Sequence, residues 1–182
     1  WVYIEVPCLD WIMRNNSWFD VFYEHVNYFR LSDFYRIFGT VIEGTHSFNG
    51  QYLSVLADLA SLRDPVREEQ IIQFPETFSR GIHEMAKMLK APERPPVAIW
   101  GGASKGVIFA IHMMRQGGIV QRVIDMNPAK QGKYLAVTGL RVESPREAMA
   151  HLQDGADVIV MNPNYLQEIR EITDERYNYL TI

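Results

Sequence analysis

A short apolar run, Val97-Ala98-Ile99-Trp100, enters Gly101-Gly102-Ala103-Ser104-Lys105-Gly106 and leaves as the helical pattern Val107 to Gln116, closed by Gly117-Gly118. A strand, a glycine turn and a helix in that order start a crossover, and successive crossovers of one hand build a parallel sheet. The alternation continues downstream. Val123-Ile124 before Asp125 reads as a second strand, and Ala156 to Met161 as a third. Between them Ser144-Pro145-Arg146-Glu147 opens a helix, with Ser144 as N-cap and Pro145 at the first helical position. Tyr165 to Arg176 reads as the last helix and Tyr177 to Ile182 as a closing strand. The predicted fold class is α/β, with a small doubly wound parallel-sheet domain over residues 96–182.

Upstream of this domain, Lys90-Ala91-Pro92-Glu93-Arg94-Pro95-Pro96 carries three prolines and reads as a stiff linker. Residues 1–90 have another character. Trp1 to Pro7 reads as a buried strand ended by proline. Aromatic residues crowd between Trp11 and Tyr35, and Ser32 to Phe38 reads as a short helix capped by Ser32 and stopped at Gly39. Val41 to Thr45 and Gln51 to Ala57 form strands around Asn49-Gly50, a pair that tolerates positive φ. Pro65 to Lys90 suits one long amphipathic helix, kinked or broken at Pro75. Trp1 opens on a strand with no polar lead-in, so residue 1 is read as a cut inside a larger fold.

Composition narrows the function classes. The 182 residues are 47% hydrophobic with a net charge of −4, which favours neither a nucleic acid nor a membrane as partner. The longest apolar runs, such as Val107 to Met114, are too short to span a bilayer. The single cysteine, Cys8, leaves no internal disulfide and no cysteine-based zinc site, and fits a reducing cytoplasm.

At a strand–helix turn, backbone N–H groups and the positive helix end can receive an anion, and Lys105 could add a charge. Neither the dinucleotide nor the Walker spacing is present, and free NAD is not expected. Asp125 could hold a ribose. The competing reading is a tight turn in which Asp125 merely caps a loop.

Three stretches resemble the sugar C-methyltransferase family. Ile4-Glu5-Val6-Pro7 followed by Tyr23-Glu24-His25-Val26-Asn27-Tyr28-Phe29 is similar to its strand, Tyr-x-Glu-His segment and aromatic step. Trp100-Gly101-Gly102-Ala103-Ser104-Lys105-Gly106 is similar to its glycine turn, with Ile99 where the family has a first glycine. Asp125-Met126-Asn127-Pro128-Ala129-Lys130-Gln131-Gly132-Lys133-Tyr134 resembles its D-x-NP-x-KQG-x-Y run, the longest and most specific match. Phe22 stands where the family has a tyrosine, and Asn49-Gly50-Gln51 where it has glycine-glycine-serine.

The resemblance implies that residues 1–90 end an S-adenosylmethionine-dependent methyltransferase domain and that residues 96–182 form a Rossmann-like substrate-side domain. It places the main S-adenosylmethionine loop, and any zinc module, outside this sequence, so that the chain alone is expected to be inactive. The implied substrate is a nucleotide-linked keto-sugar, with no nucleic acid or membrane partner. Gly101, Gly102, Ser104, Lys105, Gly106, Asp125, Asn127 and Lys130 are the implied binding residues. Methylation of carbon needs a carbanion or enolate, so a proton beside a carbonyl must leave. His25 is the expected base, Glu24 the group that orients it, and Tyr23 or Tyr28 the stabiliser of the enolate oxygen. Neighbouring residues reach one site only from a loop or helical turn. The alternatives are a structural histidine in an aromatic cluster, a methyltransferase of another small molecule, and a non-catalytic nucleotide-binding module.

Overall fold

The structure, a computed structural model, describes residues 1–64 and 72–182. It divides into two compact units, Trp1–Trp18 with Tyr23–Phe78 and Phe19–Phe22 with Ser79–Ile182.

The first unit holds β1 (Val2–Pro7), α1 (Leu9–Arg14), α2 (Leu31–Ile37), β2 (Val41–Ser47) and β3 (Tyr52–Ala57). The strands form an antiparallel sheet in the order β1-β3-β2. Alternation in the central strand explains its core: Leu53, Val55 and Ala57 point inward and meet Cys8, Phe34 and Phe38. β1 is an edge strand rather than a buried one, and its residues alternate between half-buried and exposed. The strands around Asn49-Gly50 are joined by a 3₁₀ turn in which Phe48, Asn49 and Gly50 take left-handed φ of 49°, 56° and 89°. α2 begins one residue before the expected Ser32 cap. Arg30 is its N-cap, and the Asp33 carboxylate accepts from Arg30 N at 2.7 Å. That charged acceptor ties the first turn back more strongly than a hydroxyl can.

α3 (Glu76–Leu89) starts directly after Pro75, so Ile72 to Pro75 lie outside any helix. The residue before a proline is biased away from helical φ/ψ, and of the kink and the break expected at Pro75 the described residues show the break. The remainder of the expected long helix, residues 65–71, lies outside the described residues.

The second unit contains β4 (Val97–Trp100), α4 (Ser104–Arg115), β5 (Arg122–Ile124), β6 (Val142–Glu143), α5 (Pro145–Met149), β7 (Asp157–Val160), α6 (Leu166–Ile172) and β8 (Asn178–Thr181). All five strands run parallel in the order β6-β5-β4-β7-β8. This is a Rossmann-like order, which reverses between β4 and β7. β4 and β7 are buried along their whole length, as strands covered on both faces are. Ser144 caps α5 as expected, its Oγ accepting from Glu147 N at 3.2 Å. α6 stops well before Arg176. The Thr173 hydroxyl donates back to Ile169 O at 2.7 Å, and Asp174 and Glu175 turn to left-handed φ.

The predicted linker is anchored to the sheet. Arg94 Nε lies 2.7 Å from Asp157 Oδ2 at the start of β7, and the Pro96 carbonyl accepts from Asp157 N at 3.0 Å.

The glycine turn is shaped by close packing. A Cβ on Gly106 would stand 1.9 Å from the Gly101 carbonyl oxygen, so only glycine lets α4 start so near the strand end. Gly106→Ala is expected to lower stability by about 3 kcal/mol or more. Gly132→Ala, at φ +77 but with nothing within 4 Å of the new Cβ, should cost about 1 kcal/mol. Equal melting temperatures for the two variants would show that the turn opens without penalty.

Candidate functional site

In the second unit, a pocket of about 460 Å³ opens at the carboxyl ends of the strands. Three loops build it. After β4 come Gly101, Ala103, Ser104 and Lys105; after β5 come Asp125 to Asn127 and Lys130; after β7 come Met161, Asn162 and Tyr165. Trp100, Val160, Ile169 and Ile172 supply an apolar wall, with Glu168 beside them on α6. The pocket lies where the strand order reverses, the usual ligand crevice of an open α/β sheet. Its volume falls within the range of about 300–1,000 Å³ typical of small-molecule sites.

Asp125 organises the floor of the pocket. Its side chain is buried, and Oδ2 accepts from Gly102 N at 2.9 Å and from Lys130 Nζ at 3.1 Å. Oδ1 accepts from Asn127 N at 2.8 Å, and the Asp125 carbonyl accepts from Gln131 Nε2 at 2.9 Å. The D-x-N-P-x-K-Q run is therefore one hydrogen-bonded loop folded around its first residue. Gly101 takes φ +123, with the position of its missing Cβ 3.0 Å from Met161 Cβ, so a side chain would close the pocket there.

Six of the eight residues implied for binding line this pocket: Gly101, Ser104, Lys105, Asp125, Asn127 and Lys130. Gly102 and Gly106 do not line it. Gly102 packs over Val123 and Val142, and Gly106 faces the Gly101 carbonyl. Lys105 is engaged within its own unit. Its Nζ lies 2.7 Å from Asp20 Oδ1, with side-chain exposures of 19% and 9%, and 5.9 Å from the Phe19 ring centre. Sequence reasoning missed the third wall, from Met161 to Ile172. Its only signal is a strand followed by Asn162-Pro163, where a loop at a strand end was to be expected.

In the first unit, Tyr23, Glu24 and His25 lie in an irregular segment, with Tyr23 and Glu24 in a turn. Tyr23 is 72% exposed and Glu24 is exposed. His25 is half-buried, its ring 5.7 Å from that of Tyr28 and tilted by 59°. The segment has the non-strand geometry that adjacent Glu24 and His25 need to act together. Among the other histidines, His46 borders a polar depression with Trp11, Arg14 and Asn49, also in the first unit. His83 is exposed on α3. Burial, and then the charge of Arg115, hold the pKa of His112 below the usual histidine value. Among the described residues, no group of three His, Cys, Asp or Glu is placed to hold a metal ion, and no helix is long and apolar enough to cross a membrane.

The fold defines the second unit as a Rossmann-like α/β domain with a pocket at its switch point. A family model described as the C-methyltransferase C-terminal domain matches residues 67–179, more than half of the chain, and the chain belongs to that family. It is thereby a C-methyltransferase component. No curated protein matches the chain.

The Lys105–Asp20 pair makes a testable demand. Lys105→Met is expected to destabilise the fold, and adding Asp20→Asn should return part of the loss, because a nearly buried carboxylate then no longer faces a missing cation. A double-mutant cycle from melting curves should give a coupling of about 0.5–3 kcal/mol. A coupling of zero would free Lys105 for ligand.

Proposed function

We propose that this chain serves a C-methyltransferase whose acceptor is a nucleotide-linked keto-sugar, with the strand-end pocket of the second unit as a binding site and His25 of the first unit as the base of the reaction. Residues 1–90 end the methyltransferase domain in this reading, and residues 96–182 are the acceptor-side domain. The observation that carries it is the convergence, in one pocket, of the glycine turn and the Asp125 loop, the two stretches that resemble the sugar C-methyltransferases most specifically. Membership of the C-methyltransferase C-terminal domain family supports the reaction class.

The donor implied by the resemblance is S-adenosylmethionine, which needs a cradle for its adenosine and its sulfonium. Among the described residues of the first unit, β1 passes through Cys8 into α1 without a glycine turn or a side-chain cap. These residues do not fit the donor, and the chemistry assigned to this chain lies on the acceptor.

A carbon takes a methyl group as a nucleophile, so the proton beside the keto group must leave first. The His25 imidazole accepts that proton, and the electron pair of the broken C–H bond passes into the enolate. Glu24 orients the imidazole, and the phenol of Tyr23 or Tyr28 donates a hydrogen bond to the enolate oxygen. The tilted Tyr28 ring, 5.7 Å away, limits the orientations of the His25 ring.

Proton removal can be read without methyl transfer, as exchange of the acceptor's α-hydrogen with deuterated water. In the full-length enzyme His25→Ala should slow both exchange and methylation by about 10²–10⁴-fold, with donor affinity unchanged. Near-normal exchange would assign His25 to the aromatic packing of its loop. A chain that binds no nucleotide-linked sugar at all would remove the acceptor reading itself.

A further inference from the structure

We propose that Asp20 is a positioning residue for the base of the reaction: its ion pair with Lys105 fixes the start of the loop that carries Tyr23, Glu24 and His25. This rests on the reading of His25 as the base, and it assigns Lys105 to holding that loop rather than to a ligand. Residues Phe19–Phe22 belong to the second unit, although the chain before and after them belongs to the first. The chain thus turns aside for this short stretch immediately before Tyr23, and the stretch contains the partner of Lys105.

The tie is built to be stiff. Asp20 Oδ1 lies 2.7 Å from Lys105 Nζ, and both side chains are largely withdrawn from solvent. A charge-assisted contact of that length is strong, and salt screens it little at such burial. The Lys105 cation also stands 5.9 Å from the centre of the buried Phe19 ring, within reach of a cation–π contact. Lys105 itself is mounted on a part of the fold with little freedom. It lies in the first turn of α4, where Gly106 N donates to the Ala103 carbonyl at 2.7 Å and Gly102 N to Asp125 Oδ2 at 2.9 Å.

The loop needs such a tie because it adds nothing to the core. None of residues 21–28 is buried, and they contain no helix or strand. At the far end of the loop, Leu9 N donates to the Phe29 carbonyl at 2.8 Å, and the Phe29 ring lies 5.2 Å from that of Phe34. At the near end the anchor is Asp20. A base must meet its carbon acid within a narrow range of distance and angle, and a misplacement of about 1 Å can cost about 10²-fold in rate. Releasing one end of the loop widens the positions open to His25 and leaves the imidazole itself unaltered. It therefore acts on the rate of proton removal and not on acceptor affinity.

Exchange of the α-hydrogen with deuterated water tests this, in the full-length enzyme with thymidine- and uridine-diphosphate-linked keto-sugars as probes. Asp20→Asn should lower the kcat of exchange about 10–10²-fold and leave the KM for the sugar within about twofold. Adding Lys105→Met should lower kcat little further, because either change breaks the same tie. The double variant also separates position from stability: it should melt higher than Lys105→Met alone, yet exchange as slowly. Return of the exchange rate together with the melting temperature would overturn the inference, since the pair would then only hold the fold. So would normal exchange in folded Asp20→Asn, or a raised KM at unchanged kcat in Lys105→Met, which would give the lysine to the ligand. Each of those results, beside slow exchange in His25→Ala, would leave the reading of His25 standing. Normal exchange in His25→Ala would overturn that reading and this inference with it, and an enzyme that exchanges none of these sugars would overturn the acceptor reading and both.

Discussion

The carboxylate of Asp125 joins segments that the backbone ladder alone leaves independent. The residue follows β5 and is held in register by its N–H, which donates to the Glu143 carbonyl at 3.1 Å. From there one side chain reaches the turn after β4, through Gly102, and the two ends of its own loop, through Asn127 and Lys130. Hydrogen bonds to a charged acceptor contribute about 1.5–3 kcal/mol each, and a buried carboxylate without them would be strongly penalised. The turn, the loop and the carboxylate are therefore stable only together. The glycines follow from this closeness: a Cβ at Gly102 would press on Val123 and Val142, and one at Gly106 on the Gly101 carbonyl.

The two ends of the parallel sheet divide the work. At the entering ends, polar side chains tie the strands to one another: Gln121 Oε1 accepts from Val97 N at 2.5 Å, and Asn178 Nδ2 donates to Asp157 Oδ1 at 3.2 Å. Arg94 completes this layer through its ion pair with Asp157. Between β5 and β6, Arg122 grips both oxygens of Glu143 at 2.7 and 2.9 Å. With these contacts fixing the sheet, the leaving ends are free to hold a cleft that is only partly filled by protein.

What the sequence makes legible is what local chemistry decides. The glycine turn, the Ser144-Pro145 helix start, the Asn49-Gly50 hairpin and the acid after the second strand all carry their signals within a few residues. Features set by partners distant in sequence are not legible. The two-residue β6 exists only because Val123 and Ile124 pair with it. The pairing of Lys105 with Asp20, far upstream, carries no local signal either. The third wall of the pocket has no motif, since Ile169 and Ile172 read as ordinary helix packing. Hydrophobic spacing continues across Pro75, so the sequence leaves kink and break both open there, whereas backbone sterics at the proline decide where α3 starts.

The roles proposed for Asp125 in binding and for His25 in proton removal make opposite demands on their surroundings. A carboxylate that must read a hydroxyl works best when fixed in advance, because a group already desolvated and hydrogen-bonded loses little on binding. Asp125 meets that requirement, buried and held by three donors. A general base must instead stay neutral near cellular pH and meet a carbon acid in a suitable orientation. An irregular segment, with an aromatic ring limiting the imidazole and two exposed neighbours, suits that task better than a sheet core. The buried acid after β5 and the half-buried histidine of the Tyr23–Tyr28 loop thus each suit the role proposed for them.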